Sequence, residues 1–181
     1  MGVSSISLVP RQSIVKNKEA KIKEIVDWLI EIDAIKPEKS ACVLGIDELG
    51  YAISEGAKSI TEHSDSLPFN FGTNGLEIET KRSIYTCMEG GLDLMICPSC
   101  NSDIVHEEWT FFDVWYSGES DNIICPLCQI SKPIHDYTFN PTWGFSDLGF
   151  VFWNWMEFTE SFLRKFEKRL GCNVDMVYAH L

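Results

Sequence analysis

Apolar side chains recur with clear periods in the first half of the chain. Residues 5–9 alternate as a short strand, and residues 18–35 repeat apolar side chains at helical spacing. Residues 41–46 form a short apolar run typical of a buried strand, and residues 51–53 are expected to pair back on it. Residues 76–87 predict one bent strand or a hairpin. The pattern therefore begins strand, helix, strand.

The last quarter of the chain repeats this order. Residues 148–155 are apolar on both faces, which predicts a central strand. Thr159 is predicted as the N-cap of a helix over residues 160–170, and residues 174–179 alternate as a last strand. The short connection predicts parallel pairing of the two strands. The whole order predicts an α+β fold, a ferredoxin-like βαββαβ core with an insertion in its middle hairpin.

Four cysteines dominate the middle of the chain. They form two Cys-Pro-x-Cys motifs, Cys97 with Cys100 and Cys125 with Cys128, separated by 24 residues. Zinc prefers four such ligands in a tetrahedron, at about 2.3 Å, and a closed four-thiolate site leaves no position for water or substrate. The spacing predicts one structural Zn²⁺ per chain, held by these four thiolates.

The paired motifs resemble a zinc ribbon, in which two knuckles lie at the tips of two β-hairpins. The resemblance implies a ribbon insertion over residues 91–131 and a core from residues 1–90 and 132–181. Ribbon knuckles often carry Gly after the second Cys, where φ tends to be positive; here Asn101 and Gln129 stand there. Because Gln tolerates positive φ poorly, the second knuckle is expected to be less regular.

A second resemblance covers residues 144–155, which read Gly-Phe-Ser-Asp-Leu-Gly-Phe-Val-Phe-Trp-Asn-Trp. This run is similar to a stretch in uncharacterised bacterial proteins of about this size that also carry paired Cys-Pro-x-Cys knuckles. The similarity indicates a family and implies no function.

Other chemistry at the cysteines stays open. A rubredoxin-like iron site uses the same four-sulfur geometry. Dithiol redox chemistry or two disulfides are further alternatives, although a redox Cys-x-x-Cys normally opens a helix and neither motif is followed by a helical pattern. His106 or His135 could replace one cysteine as a ligand. Cys42, Cys87 and Cys172 are expected to be buried and inert.

The charge distribution of the sequence indicates what kind of partner the protein can bind. The chain has 15 basic and 27 acidic residues, for a net charge of −12. Residues 83–131 contain no Lys or Arg, and they carry eight acids: Glu89, Asp93, Asp103, Glu107, Glu108, Asp113, Glu119 and Asp121. Such a segment repels phosphate, which argues against nucleic-acid binding through it and favours a basic protein as the complementary partner. The alternative is that the acids serve solubility alone.

Three further features of the sequence limit which functions are expected: an aromatic segment, the lack of common catalytic motifs, and the lack of a membrane or signal-peptide pattern. Residues 108–116 predict an aromatic strand in a small core. The sequence contains no Gly-rich phosphate loop, nucleophile elbow or His-Glu-x-x-His motif. It has no stretch of 18 apolar residues and no signal-peptide pattern, and its odd number of cysteines fits a reducing compartment, so a cytoplasmic location without membrane attachment is expected.

Three functional hypotheses follow. The first is an interaction protein that docks on a basic partner, in one form an immunity or antitoxin protein that masks a basic nuclease toxin. The second is an enzyme with a site between core and ribbon, whose catalytic residues the sequence does not identify. The third is an iron-bearing electron carrier. The oligomeric state is not indicated.

Overall fold

The computed structural model describes residues 2–88 and 91–181. Within these ranges the helices are α1 (Lys18–Glu31), α2 (Thr110–Tyr116) and α3 (Glu160–Leu170). The strands are β1 (Ser4–Pro10), β2 (Ile35–Ser40), β3 (Gly50–Ile53), β4 (Leu76–Glu79), β5 (Ser83–Tyr85), β6 (Leu94–Ile96), β7 (Asn122–Ile124), β8 (Ser131–Pro133), β9 (Thr138–Asn140), β10 (Gly144–Ser146), β11 (Gly149–Trp153) and β12 (Val174–His180). Short 3₁₀ turns occupy Glu55–Ser59, Ser64–Ser66 and Ile134–Asp136. The chain is therefore a mixed α and β protein.

A six-stranded sheet with the order β12-β1-β11-β4-β3-β2 organises the fold. Each neighbouring pair in this sheet is antiparallel. Since β11 and β12 are both antiparallel to β1, they run parallel to each other but lie on its two sides. The predicted direct pairing of these two strands is therefore wrong, although their predicted relative direction is right.

One face of this sheet packs on α1 and α3. Ile6 and Leu8 of β1 point to this face, together with Phe150 and Phe152 of β11, and all four are buried. We call the apolar core between the sheet and these helices the first cluster. The predicted helix over residues 160–170 is confirmed, and the Oγ1 atom of its N-cap Thr159 accepts a hydrogen bond from the amide of Phe162, the third residue of the helix.

The first crossover differs from the prediction. Helix α1 ends at Glu31, because Asp33 adopts a positive φ of 56° and the Ala34 amide bonds back to the Leu29 carbonyl. Strand β2 follows immediately and contains Pro37, which the edge of the sheet tolerates. The predicted strand over residues 41–46 is wrong, since these residues form bends beyond β2.

A second hydrophobic core, which we call the second cluster, forms between α2 and the short strand pairs β6-β9 and β7-β8. Its buried members are Leu92, Met95, Cys97, Ile104, Val105, Phe111, Phe112, Trp115, Ile123, Cys125, Ile134, Tyr137, Trp143 and Phe145. Several of them follow residue 131, the predicted end of the insertion. The domain boundaries themselves stay a prediction.

The aromatic segment is a helix and not the predicted strand. Phe111, Phe112 and Trp115 are the buried residues of α2, and Trp115 lies one helical turn after the two phenylalanines. The segment carries six apolar or aromatic residues among nine, and they match neither the helical nor the strand period alone. Burial in the folded chain distinguishes the two.

The segment after β1 joins the two cores. The Trp115 indole N–H donates to Ser13 Oγ at 2.8 Å, and both groups are buried. Arg11 donates to the His135 carbonyl at 2.6 Å. None of the helices in residues 2–88 and 91–181 has the length and apolar character needed to cross a membrane.

Candidate metal centre

Two backbone turns of the same geometry carry the four cysteines. In knuckle 1 (residues 97–102) the Cys97 amide donates to the Ser102 carbonyl at 3.0 Å, and the Asn101 amide donates to the Cys97 carbonyl at 3.0 Å. In knuckle 2 (residues 125–130) Cys125 makes the equivalent bonds with Ile130 and Gln129, at 3.1 and 2.9 Å. The two turns therefore present their sulfurs in the same way.

The residue after each second cysteine is left-handed. Asn101 has φ 56° and Gln129 has φ 62°. Gln129 donates from its side chain to the Pro126 carbonyl at 2.8 Å, which closes the turn. The expected irregularity of the second knuckle is therefore not observed. The strain of a positive φ at Gln is accepted, because the surrounding hydrogen bonds fix the turn.

The four sulfur atoms converge on one point. All four lie within 4.8 Å of one another. The Cys97 and Cys128 sulfurs are 3.8 Å apart, and those of Cys100 and Cys125 are 3.9 Å apart. A tetrahedron with metal–sulfur bonds of about 2.3 Å has edges of about 3.8 Å, so the spacing fits a metal ion at the centre. The cysteines are free, and the arrangement is consistent with a zinc-ribbon-like site.

Local hydrogen bonds favour ionised sulfur at the first knuckle. Burial opposes ionisation of Cys97, but backbone N–H groups of Cys100 and Ser99 outweigh it and lower the pKa of the Cys97 thiol to about 6. The side chain and backbone of Ser102 lower the pKa of Cys100. Metals bind the thiolate and not the thiol, so these donors favour coordination.

Neither histidine considered as a substitute ligand joins the sulfur group in the described part of the chain. His106 is exposed, beyond knuckle 1. His135 lies in a small 3₁₀ turn, where its Nε2 is 3.4 Å from Ser13 Oγ. Burial, reinforced by the Arg11 charge, lowers the pKa of His135 to about 4, so the ring is neutral at pH 7.

Sequence reasoning missed Tyr137, which lies beside the site. Its hydroxyl is buried and faces the Ile123 carbonyl at 3.5 Å. Burial, together with the negative sulfurs of Cys97 and Cys125, raises the pKa of this phenol well above its ordinary value. No sequence signal singles out this tyrosine, because only the pairing of β6 with β9 brings it to the sulfurs.

The three remaining cysteines lie elsewhere. Cys42 is buried, as predicted, whereas Cys87 and Cys172 are only half-buried. Burial raises the pKa of the Cys172 thiol, which makes that sulfur less reactive.

Comparisons of the chain with protein-family models, curated proteins and solved structures found no match. Function must therefore be argued from the geometry and charge of the molecule.

Proposed function

We propose that the four cysteines bind one structural zinc ion and that the protein acts by contact with a basic protein partner, in the cytoplasm. The contact lies in an acidic groove beside knuckle 2. A closed set of four thiolates has no free coordination position, so the metal holds the second cluster together and does no chemistry. Zinc is preferred to iron because it is the usual ion of structural four-cysteine sites.

The order of the strands supports the proposal that the segment between β4 and β11 is an inserted zinc ribbon. The sheet order β12-β1-β11-β4, with α1 after β1 and α3 after β11, supports a ferredoxin-like core. The hairpin β2-β3 then extends this core at one edge. Everything between β4 and β11 is the insertion, and it contains both knuckles and α2.

The groove between α2 and the β7-β8 hairpin is the observation that carries the contact. It encloses about 720 Å³ and has Glu107 and Glu108 on its rim. Phe111, Val114 and Ile124 contribute apolar surface, and Ile124 is 57% exposed. Exposed apolar surface bounded by charge is typical of a protein interface.

The charges around the groove have few partners of their own. Among the described acids of residues 83–131, only Asp121 forms an ion pair, with Arg82 at 2.7 Å. Glu107, Glu108 and Asp113 make no ion pair within residues 2–88 and 91–181. A partner that supplies Lys or Arg side chains at the rim would complement this field, whereas phosphate would be repelled.

One specific form of this function is an immunity or antitoxin protein. In that form the groove covers a basic nuclease toxin, whose cationic surface would otherwise bind nucleic acid. A toxin gene next to the gene for this protein is the expected genomic context, and its absence would contradict this form only.

The test is affinity capture with the zinc-loaded protein. Wild type is compared with a groove variant, Glu107→Gln with Glu108→Gln, and with a matched control, Glu38→Gln with Glu62→Gln. Both variants lose the same charge, but the control residues are exposed and lie outside the groove. The captured protein is then purified, and its affinity for all three is measured at low and high salt.

We expect a basic partner that binds wild type and control equally and that high salt releases. The groove variant should bind about tenfold more weakly, since each rim charge contributes up to about 1 kcal/mol. Equal affinities for the two variants would reject the groove, and the absence of any basic partner would reject the contact function. Elemental analysis should find one zinc per chain; visible thiolate-to-iron absorption would reject zinc.

A further inference from the structure

The face of the six-stranded sheet opposite α1 and α3 carries three polar residues, Ser5, Ser7 and Glu77, beside Val151 and Trp153. Ser5 pairs with Trp153 across β1 and β11, and Ser7 pairs with Val151, which in turn pairs with Glu77 of β4. Because side chains alternate along a strand, these five residues lie on the same face. An exposed sheet face commonly carries scattered polar groups, but these residues lie at the bottom of a pocket.

Strand β5 and the residues after it form one wall of that pocket. The pocket has a volume of about 280 Å³ and is lined by Ser5, Ser7, Glu77, Glu79, Ser83, Ile84, Tyr85, Thr86, Met88, Val151, Trp153, Ala179 and Leu181. Tyr85 lies directly on the backbone of Gly149, where a Cβ atom would come within 2.3 Å of the phenol oxygen. Glycine at position 149 therefore lets β5 approach the sheet and enclose the pocket.

Two serine hydroxyls that face the pocket have no hydrogen-bond partner in the described residues. Ser5 and Ser7 are each only 6% exposed, and both line the pocket. No hydrogen bond links either hydroxyl to another group in residues 2–88 and 91–181. The Tyr85 hydroxyl in the same lining is fully buried and also has no hydrogen-bond partner in the described residues, and buried polar groups are nearly always hydrogen-bonded. These unpaired hydroxyls therefore indicate that the pocket holds a ligand or water.

Two carboxylates in the same pocket also lack counter-charges. Glu77 accepts one hydrogen bond, from the Trp153 indole at 2.8 Å, and Glu79 accepts one from the Lys81 amide at 2.9 Å. Neither forms an ion pair within the described ranges, and the lining contains no Lys, Arg or His. Burial raises the pKa of Glu77, the hydrogen bond from Trp153 opposes this rise, and the charges of Glu79 and Glu48 add to it.

We infer that this pocket, which we call the sheet pocket, binds a small organic cation with an ammonium or guanidinium group. Glu77 and Glu79 would pair with the cation, and Ser5 and Ser7 would accept its remaining N–H groups. The Trp153 ring supplies an aromatic wall, as cation binding favours. Calcium or magnesium fits less well, because such ions need six or more oxygen ligands and Val151, Ile84 and Met88 are apolar.

The volume limits the size of the ligand. Pockets for drug-sized molecules range over about 300–1,000 Å³, so the sheet pocket suits only a small amine. The site is independent of the acidic groove, which lies beside α2 in the second cluster and shares none of these residues.

The test is a two-dimensional NMR titration of the zinc-loaded protein. Putrescine and agmatine are the cationic probes, 1,4-butanediol is the neutral probe of similar size, and calcium is the inorganic probe. We expect saturable shifts of the Trp153 indole and of the Ser5 and Ser7 amides with putrescine or agmatine only. Saturation by butanediol or calcium, or no saturation by either amine, would overturn the inference.

Two variants that each remove one negative charge then test whether Glu77 pairs with the cation. Glu77→Gln keeps an acceptor for the Trp153 indole, so the fold is retained, and the probe should bind at least about tenfold more weakly. Glu38→Gln removes the same charge from the distant edge strand β2 and should leave the affinity unchanged. Equal effects of the two variants would overturn the site. A pentalysine peptide that binds more tightly than both free amines would assign the pocket to a partner's side chain and overturn the small-molecule assignment.

Discussion

Replacement of one of the four cysteines should unfold the second cluster and leave the first cluster folded. Cys97 is completely buried in the second cluster, with its sulfur 3.8 Å from that of Cys128. The variant Cys97→Ser removes one of four thiolates and leaves a buried hydroxyl in its place. Structural zinc contributes on the order of 10 kcal/mol in small modules, which is as large as the total stability of many domains, about 5–15 kcal/mol. We therefore expect the second cluster to unfold.

The first cluster should survive this change. It is built from the six-stranded sheet with α1 and α3, and no sulfur of the candidate site belongs to it. The control is Cys42→Ser, which makes the same atomic change at a site that is 5% exposed and belongs to neither core. Burial of an unpaired hydroxyl there should cost about 1–3 kcal/mol without local unfolding.

Tryptophan indole signals report the two cores separately by NMR. Trp115 and Trp143 belong to the second cluster, whereas Trp28 and Trp155 belong to the first. In Cys97→Ser we expect the indole signals of Trp115 and Trp143 to move to random-coil shifts, while those of Trp28 and Trp155 stay dispersed. Elemental analysis of this variant should find no zinc. A strong chelator should reproduce this pattern in the wild type. The reasoning is refuted if Cys97→Ser retains one zinc per chain and melts at the same temperature as Cys42→Ser.

Two further predictions concern stability. Thr159→Ala removes the cap that bonds to the Phe162 amide at 3.2 Å and should cost about 1 kcal/mol in urea unfolding, whereas Thr159→Ser should cost almost nothing; equal losses would contradict the capping role. Burial lowers the pKa of His135 from 6.5 to about 4, so the unfolded chain takes up this proton first and the contribution of His135 to stability is lost as pH falls from 6.5 towards 4. Between about pH 7 and about pH 5 the wild type should lose about 2 kcal/mol more than His135→Gln, measured by urea unfolding at both pH values, and equal losses would show that the ring is not held neutral.

The parts of the structure that depend on short spacings could be predicted from the sequence. The motif spacing identified Cys97, Cys100, Cys125 and Cys128 as one group, because each pair spans a single turn. The cap at Thr159 and the helix that follows were predicted for the same reason, since a helix start is specified by neighbouring residues.

Features set by distant pairing could not be predicted. Ser5 and Glu77 look like ordinary strand residues, and only the register of β1 on β11 and of β11 on β4 brings them into one pocket. The apolar segment that forms α2 has no dominant period, so contacts with the second cluster decide its conformation. Strand β2 was misplaced because its exposed pattern, with Pro37, lacks the apolar alternation of a sheet strand.

The position of β1 between β11 and β12 has a consequence for synthesis of the chain. Ser4 hydrogen-bonds to Asn154, which lies 150 positions later in the chain. Both edges of β1 therefore have no strand to pair with until the ribosome has synthesised β11 and β12. Such non-local pairing slows folding and leaves unpaired strand edges open to other nascent chains. The second cluster, with most of its members between Leu92 and Phe145, can assemble earlier, given zinc. The second cluster is therefore expected to fold first during translation, while β1, which is synthesised before it, is paired only after β11 and β12 have been made.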